Sequence, residues 1–290
     1  MSRYYKIPQI SYGSTSSIFT DFHQTLYPYF LRTTPSQDLE SVLLAYLIAS
    51  QGWTKLALMY ATDTQTFSSA QVFITAAQEL NLNIVVSTSF ATGTINLTTQ
   101  IQTIKQSQAR IILFMGTIND QQAVIHCSLS EGLSGMGYQW IGIHASMYKA
   151  LYLNSTGGII QEYYQWAQGF IGLQSFADVN SKIYLEYAQR WLTAPADPET
   201  STVNSNDISP VANFAYDATF MFAYALHKMI EVFDLDPMEI ENRQLYLETL
   251  MNVTFQGVSG NVSVDQNGDR IAPFDIVNFQ GDRICSNWFN

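Results

Sequence analysis

Residues Lys55 to Ser87, KLALMYATDTQTFSSAQVFITAAQELNLNIVVS, decide the fold class of this chain. KLALMY is a short apolar run typical of a buried strand, the polar loop Ala61–Thr66 follows it, and a helix is expected from about Phe67 to Leu80. NIVVS is the next strand. The same order continues downstream, with strands at 110–115 (RIILFM) and 139–143 (QWIGI) and helices at 97–108 and 120–133. Apolar strands that alternate with helices predict an α/β fold with parallel sheets and right-handed crossovers.

The sequence on either side of this repeated part has a different pattern of predicted elements. A helix is expected at 39–50, with Asp38 as its N-cap. After residue 180 the pattern is mostly helical, with helices expected at 182–192, 212–233 and 240–251 and a polar loop at 193–209. The last forty residues return to strands, which contain an Asn267-Gly268 turn. A chain of 290 residues is long enough for two lobes, since domains hold roughly 100 to 200 residues.

Composition narrows the class of partner. Lys and Arg number 13 against 24 Asp and Glu, which gives a net charge of −11. Such a chain repels phosphate backbones and anionic lipid, so no nucleic-acid partner is predicted. Few lysines beside many tyrosines and phenylalanines are more typical of an ectodomain than of a cytosolic enzyme. The N-terminus lacks the apolar segment of a signal peptide. The apolar stretch 214–233 contains Asp217, His227, Lys228 and Glu231 and is predicted to be a buried helix, not a membrane span.

A hydroxyl-rich loop lies between two short predicted strands within residues 10–36, ISYGSTSSIFTDFHQTLYPYFLRTTPS. Ser14, Thr15 and Ser16 offer hydroxyls and backbone amides that suit a carboxylate or another small polar group. Ligands of open α/β folds bind at such loops, outside the carboxyl ends of the strands. An ordinary serine-rich turn explains the same three residues equally well.

Further polar residues follow three strands of the repeated part. Asp63, Phe67 and Ser68 come after the strand at 55–60, and Gly116 and Thr117 come after the strand at 110–115. His144 to Ser146 follow the strand at 139–143. Because the carboxyl ends of parallel strands meet at one edge of a sheet, these loops are expected to form a rim.

The sequence carries no recognisable catalytic or metal-binding motif. Its four histidines lie in no HExxH or HxH pattern, residues 257–260 (GVSG) lack the GxSxG spacing, and there is no P-loop or GxGxxG. The stretch 265–269 resembles the start of a calcium loop, but position 12 is Asn278 in a predicted strand, which favours a hairpin turn. We predict no enzyme activity, no cofactor and no metal.

Seven blocks of sequence together resemble one receptor family: SYGSTSSIF, YPYFLRTTPSQD, GWTKLALMY, RIILF through Cys127, YQWIGI, FAYDATFMFAYALH and FQGVSGNVSVDQNGDR. In this order, over nearly the whole chain, they are similar to the ligand-binding ectodomain of class C G-protein-coupled receptors, and most of all to type B gamma-aminobutyric acid (GABA-B) receptors. The resemblance implies the two-lobed Venus flytrap fold, the type I periplasmic-binding-protein fold, whose lobes close on a ligand by a hinge motion.

The resemblance also implies the division into lobes. Lobe 1 is expected to hold residues 1–35 and 178–256, and lobe 2 residues 36–177 and 257–290. Crossovers near Thr34, Gly172 and Gly257 would form the hinge. The family's first strands and helices of lobe 1 would precede Met1, so lobe 1 is expected to be incomplete.

Ligand contacts are carried over from the family pattern. Thr15 falls where the family holds the ligand carboxylate with a hydroxyl. Thr34 and Val211 stand where the GABA-binding subunit has a histidine and an acidic residue, and Ala145 and Ser146 replace an aromatic pair; these changes disfavour GABA itself as ligand. The ligand-binding residues predicted in total are Ser14, Thr15, Ser16, Thr34, Phe67, Thr117, His144 and Asp217, of which Asp217, at the start of a helix, also suits packing or capping.

Two features bear on the compartment. Cys127 matches a family cysteine whose usual partner is missing, so it is expected to be either free or paired with Cys285. Acceptors of the Asn-X-Ser/Thr type, predicted to be glycosylated, occur at Asn96, Asn154, Asn252 and Asn261. The resemblance implies the extracellular face of the plasma membrane.

The predicted function is ligand binding by the ectodomain of a receptor. The expected partners are a small polar or amino-acid-like ligand, a second receptor subunit in a homo- or heterodimer, and a G protein reached through the membrane domain of the parent receptor. A silent heterodimer subunit that binds nothing is a second interpretation. The alternatives are the ligand-binding domain of a receptor guanylate cyclase, a type I solute-binding protein and, from a different class, an α/β enzyme such as an amidase or nucleotide-processing protein.

Overall fold

The computed structural model describes residues 2–143, 158–194, 208–280 and 283–286, with the backbone alone for residues 118, 119 and 283–286. The helices are α1 Ser2–Tyr5, α2 Ile18–Asp21, α3 Gln37–Ser50, α4 Thr64–Glu79, α5 Thr98–Gln106, α6 Ile118–Glu131, α7 Gln161–Ala167, α8 Lys182–Thr193, α9 Pro210–His227 and α10 Arg243–Met251. A π-helical turn at Lys228–Val232 follows α9, and a 3₁₀ turn at Ile240–Asn242 precedes α10. The strands are β1 Gln9–Ser11, β2 Phe30–Arg32, β3 Lys55–Ala61, β4 Asn83–Phe90, β5 Ile111–Met115, β6 Gln139–Gly142, β7 Ile171–Ser175, β8 Phe255–Gly257, β9 Gly260–Val262, β10 Phe274–Gln280 and β11 Arg283–Ser286.

The chain forms two compact units. Unit 1 holds Met1–Ser36 and Ser175–Pro273, and unit 2 holds Gln37–Gln174 and Phe274–Asn290. The chain therefore passes from one unit to the other after Ser36, after Gln174 and after Pro273.

Unit 2 is built on a sheet with the strand order β11-β10-β7-β6-β5-β3-β4. The pairs β3–β4, β3–β5, β5–β6 and β6–β7 are parallel, while β10 and β11 are antiparallel. The α/β class and the parallel sheet expected from the repeated pattern are confirmed.

Both faces of this sheet are covered by helices. Leu56 and Leu58 of β3 pack with residues of α3 and α4 in one core, whereas Ala57 and Met59 pack with residues of α5, α6 and α7 in the other. All four of these strand residues are fully buried. Burial on both faces is the reason why the strand reads as a continuous apolar run without alternation.

Unit 1 combines a parallel pair, β1 with β2, and an antiparallel hairpin, β8 with β9. Leu31 of β2 is fully buried in a core with Met221 and Ala225 of α9 and Leu247 and Leu250 of α10.

Among the described residues, no helix combines the length and the apolar character needed to cross a membrane.

Some helix boundaries differ from the expected ones. α3 begins at Gln37, so Asp38 is not its N-cap but lies in its first turn, where a carboxylate interacts favourably with the helix dipole. α4 begins three residues before the expected start, because the carboxylate of Asp63 accepts a hydrogen bond from the amide of Thr66 at 3.0 Å and caps it. The helix expected over 212–233 is α-helical only to His227.

Residues 257–273, which the resemblance assigns to lobe 2, lie in unit 1 of the structure. The amides of Val258 and Ser259 donate to the carboxylate of Asp217 on α9, at 2.8 and 2.9 Å. The amide of Arg32 on β2 donates to the carbonyl of Gly268 at 2.9 Å. These bonds hold both ends of the segment to unit 1, and the chain leaves that unit only after Pro273.

Candidate functional site

The loop that follows β1 is organised by Ser11. The Ser11 hydroxyl donates to the Ser14 hydroxyl at 2.8 Å and accepts a hydrogen bond from the Ser14 amide at 3.0 Å. This local pattern, a serine side chain that bonds to the backbone just ahead of it, is the one that makes serine common in turns. It places the half-buried side chains of Ser14, Thr15 and Ser16 just beyond the carboxyl end of β1.

Arg32, the last residue of β2, fixes the same loop from within unit 1. Its guanidinium is fully buried and donates from Nη1 to the carbonyls of Ser14 and Ser16, at 3.1 and 3.0 Å. Nη2 donates to the Thr20 hydroxyl at 2.8 Å, and Nε donates to Asp269 Oδ1 at 2.6 Å. Since a buried cation holds the loop carbonyls, the loop is preorganised by protein contacts alone.

The turn that carries Asp269 is attached to β2. Asp265 Oδ1 accepts hydrogen bonds from the amides of Asn267 and Asp269, at 2.8 and 3.0 Å, and Gly268 has a φ of +72°. A Cβ at Gly268 would lie 2.6 Å from the carbonyl oxygen of Phe30, so the close approach requires glycine. The stretch that resembles a calcium loop therefore has a structural role in unit 1, as a turn that presents Asp269 to Arg32.

Asp217 lies at the centre of a buried polar cluster in unit 1. Its carboxylate accepts from the amides of Val258 and Ser259 and from the Ser259 hydroxyl. Arg270 Nη2 donates to the Ser259 hydroxyl at 3.2 Å and to the carbonyl of Asn261 at 2.8 Å. The structure thus gives Asp217 a clear supporting role for the β8–β9 hairpin, and its contact with a ligand stays a prediction.

Burial dominates the electrostatics of this cluster. It raises the pKa of Asp217, against the opposing effect of the hydrogen bonds from Ser259 and Val258 and of the Arg270 charge. Burial also lowers the pKa of Arg270 to about 10, although the charge of Asp217 acts in the other direction. Ser259 is 1% exposed and its hydroxyl already donates to Asp217, so it is not arranged as a nucleophile.

The loops at the carboxyl edge of the unit 2 sheet are tied to one another. The Thr92 hydroxyl donates to Asp63 Oδ2 at 3.1 Å, which links the loops after β4 and β3. The Gly93 amide donates to Asp120 Oδ1 at 2.8 Å, which links the loop after β4 to the first turn of α6. Burial opposes the ionisation of Asp63, but the hydrogen bonds from Thr66 and Thr92 outweigh it and lower the pKa of this carboxyl.

Two of the predicted ligand residues lie at this edge. Phe67 is 47% exposed in the first turn of α4, with its ring 6.1 Å from that of Tyr60. Thr117 is the N-cap of α6 and forms a capping box with Asp120. Thr117 is exposed, so a ligand contact is compatible with its cap, and its ligand role stays a prediction.

The remaining predicted residues are distributed as follows. Thr34 is buried just beyond β2, and Val211 is 45% exposed in the first turn of α9. His144, Ala145, Ser146 and Asn154 lie outside the described residues. Asn96, Asn252 and Asn261 are exposed, as glycosylation requires.

The predicted site residues do not include the ones that hold the site together, Arg32 and Asp269. An arginine inside a predicted strand of a chain with only 13 basic residues is a usable signal for the first of them. Cys127, expected to be either free or paired with Cys285, is a buried free thiol. Its Sγ accepts a hydrogen bond from the Leu97 amide at 3.3 Å. Within the described residues no group of acidic, histidine and cysteine side chains could hold a metal ion.

Comparison with known proteins matches residues 1–282 to the receptor family ligand binding region. The chain belongs to this family. Its α/β units with a largely parallel sheet agree with the Venus flytrap fold of the receptor family ligand binding region.

Several curated receptors are similar at low identity. The chain is 24% identical to gamma-aminobutyric acid type B receptor subunit 1 of Caenorhabditis elegans, over 96% of the chain and 32% of that protein. It is 24% identical to subunit 2 of Homo sapiens, over 96% and 30%, and 23% identical to glutamate receptor 3.1 of Oryza sativa subsp. japonica, over 98% and 32%. The chain thus spans about a third of the length of the curated relatives it matches.

Proposed function

We propose that the chain is the extracellular ligand-binding region of a GABA-B-like class C G-protein-coupled receptor and is not an enzyme. It binds a small amino-acid-like ligand and signals by closure of the two lobes of the Venus flytrap fold. The observation that carries the proposal is the loop Ser14–Ser16, whose carbonyls are held by the buried Arg32 while its hydroxyls stay half-buried at the end of β1. The similarity to gamma-aminobutyric acid type B receptor subunits supports it.

The chemistry of the loop favours the carboxylate end of a ligand. Hydroxyl and amide groups on a fixed backbone donate hydrogen bonds to an anion at little cost in ordering. Val211, in the first turn of α9, has no charge with which to pair an ammonium group. We therefore propose that the ligand is recognised mainly by its carboxylate and that GABA is not the preferred ligand.

Titration calorimetry of the 290-residue chain, and of the longest natural form that contains it, tests this proposal. The panel pairs glycine, alanine, glutamate and GABA with the corresponding amides. Carboxylates are expected to bind at least tenfold more tightly than their amides, because an amide forms only neutral hydrogen bonds with the loop. Amides that bind as well as the acids would overturn the proposal.

A silent subunit is the second candidate, favoured by the apolar Val211 at the position where the GABA-binding subunit is acidic. In that case the chain binds no member of the panel and acts through a second receptor subunit, with which we propose it forms a dimer that reaches a G protein. Coexpression with a GABA-binding subunit, followed by copurification, separates this case from a chain that binds nothing and has no partner.

Secretion of the chain tests the extracellular assignment. Asn96, Asn252 and Asn261 lie exposed, and we propose that they carry glycans. Secreted protein is expected to lose mass on treatment with a peptide N-glycosidase, and each Asn→Gln change removes one step of that loss. A chain that is secreted without any glycan contradicts the assignment of the three sites.

A receptor guanylate cyclase or a type I solute-binding protein would share the fold. The domain encoded next to the ligand-binding region distinguishes these two classes from a G-protein-coupled receptor.

A further inference from the structure

Asn267-Gly268 is the only Asn-Gly pair in the chain, and it lies in the turn that presents Asp269 to Arg32. Asparagine followed by glycine is the pair most prone to spontaneous deamidation, because glycine has no side chain to shield its backbone nitrogen. In this reaction the Gly268 nitrogen attacks Cγ of Asn267 and ammonia leaves, which forms a cyclic succinimide. Water then opens the ring to aspartate or to isoaspartate. Asn267 is half-buried, so water reaches its side chain.

Hydrogen bonds of the folded turn restrain the attacking nitrogen. The Gly268 amide donates to the carbonyl of Asp265 at 3.0 Å. Attack requires this amide to lose its proton to solvent, and a hydrogen bond to a carbonyl hinders that step as it hinders hydrogen exchange. Asp265 Oδ1 accepts from the amides of Asn267 and Asp269, at 2.8 and 3.0 Å, so the backbone on both sides of Gly268 is fixed as well.

Packing against β2 adds a second restraint on Gly268. A Cβ at this position would lie 2.6 Å from the carbonyl oxygen of Phe30 and 3.2 Å from Cα of Leu31. The Gly268 carbonyl also accepts a hydrogen bond from the Arg32 amide at 2.9 Å. Ring closure needs the nitrogen and Cγ in an attack geometry, and the backbone rotation that brings them there has no room against the strand. The reaction therefore requires the turn to leave β2.

We propose that Asn267 is a modification site that the folded turn 265–269 protects and that opening of the turn exposes to spontaneous deamidation. The isoaspartate product carries its main chain through the former side chain, which adds one methylene between residues 267 and 268. The added length moves the Gly268 carbonyl and the Asp269 carboxylate out of register with Arg32. The new carboxylate also adds a negative charge beside Asp265 and Asp269.

The product is thus unable to close the turn as before, and the modification marks chains in which unit 1 has opened. It goes beyond the proposed receptor function and does not depend on it.

Peptide mapping by mass spectrometry tests the protection, with the 290-residue chain incubated at mildly alkaline pH with and without denaturing urea. Asn267 is expected to deamidate at least about a hundredfold more slowly in the folded chain, because reaction there proceeds through a small open population. Asp265→Ala removes the carboxylate that fixes the turn. It should speed the reaction of the folded chain about tenfold or more and leave the rate in urea unchanged.

Asp236→Ala is the matched control. Asp236 Oδ1 accepts from the Met238 amide at 2.8 Å in another turn of unit 1, and its removal should leave the Asn267 rate unchanged. A folded-chain rate for D265A that equals that of D236A would overturn the proposal. Equal rates in the folded and the urea-unfolded parent chain would overturn it too, and this comparison decides the question even if D265A does not fold.

Amide hydrogen exchange tests the consequence of the modification. The isoaspartate form, separated by chromatography and refolded, is expected to lose about tenfold or more of the protection at the Arg32 amide, the donor to Gly268. The Leu58 amide, in the middle of β3 in unit 2, is the control and should keep its protection. An isoaspartate form that protects the Arg32 amide as well as the parent chain does would contradict the coupling.

Discussion

Arg32 and Asp269 lie 237 residues apart in the sequence and form a buried ion pair, with Nε 2.6 Å from Oδ1. The pair joins the end of β2 to the turn at 265–269, and the same guanidinium holds the carbonyls of Ser14 and Ser16. One side chain therefore connects the stability of unit 1 to the shape of its candidate ligand loop.

Arg32→Gln is expected to destabilise the chain by about 3 to 5 kcal/mol, because it leaves the Asp269 carboxylate buried without its partner. Urea unfolding measures the loss. Lys182→Gln breaks an ion pair that is largely exposed to solvent and should cause no measurable change. Equal effects of the two variants would show that the buried pair has no special weight.

Gly268→Ala is expected to cost about 2 kcal/mol, because the residue has a φ of +72° and its new Cβ would lie 2.6 Å from the Phe30 carbonyl. Gly93→Ala is the matched control: φ is +83°, but the added Cβ meets no atom within 4 Å. The control should cost only about 1 kcal/mol, the conformational part of the effect. Thermal unfolding of both variants separates the steric contribution from the backbone contribution. If both lose the same stability, the close approach to β2 has no effect.

Asp63→Ala is expected to cost about 1 kcal/mol at pH 7, since it removes the N-cap of α4. The folded-state pKa of Asp63 lies below its ordinary value of 3.8, so the stabilisation is present above that pH and is lost as the pH falls through the folded pKa. The difference from the parent chain should therefore shrink on acidification below about pH 3.8.

Urea unfolding at pH 7 and pH 3 measures this dependence. Glu79→Ala removes a carboxylate from the last turn of the same helix, where it caps nothing, and should show no such loss. A penalty for Asp63→Ala that stays constant from pH 7 to pH 3 argues against the cap as the cause.

The sequence predicts the centre of the unit 2 sheet well because strands β3, β5 and β6 are buried on both faces. Leu56 to Met59 thus form a run that reads as a strand without any knowledge of the fold. The tie between Arg32 and Asp269 escapes such reading, since nothing local in RTTPS or in the 265–269 turn indicates a contact across 237 residues.

The third crossover shows the same limit. The resemblance places a crossover near Gly257, but the hydrogen bonds from the amides of Val258 and Ser259 to Asp217 keep the following segment in unit 1. Turn chemistry predicts where a chain bends and gives no information on the unit to which the next residues attach. For the same reason the sequence shows Ser14, Thr15 and Ser16 as a polar loop, but it does not show that Arg32 contacts this loop.

The measurement that tests the receptor proposal most directly is calorimetric titration of Thr15→Ala with the tightest-binding amino acid of the panel. We expect a loss of affinity of about five- to tenfold, the effect of one hydrogen bond to a carboxylate. Thr117→Ser keeps the hydroxyl that caps α6. If this hydroxyl is the only group of Thr117 that contacts the ligand, the variant is expected to bind the ligand as the parent chain does. An unchanged affinity in Thr15→Ala would contradict the role of the Ser14–Ser16 loop as the carboxylate site.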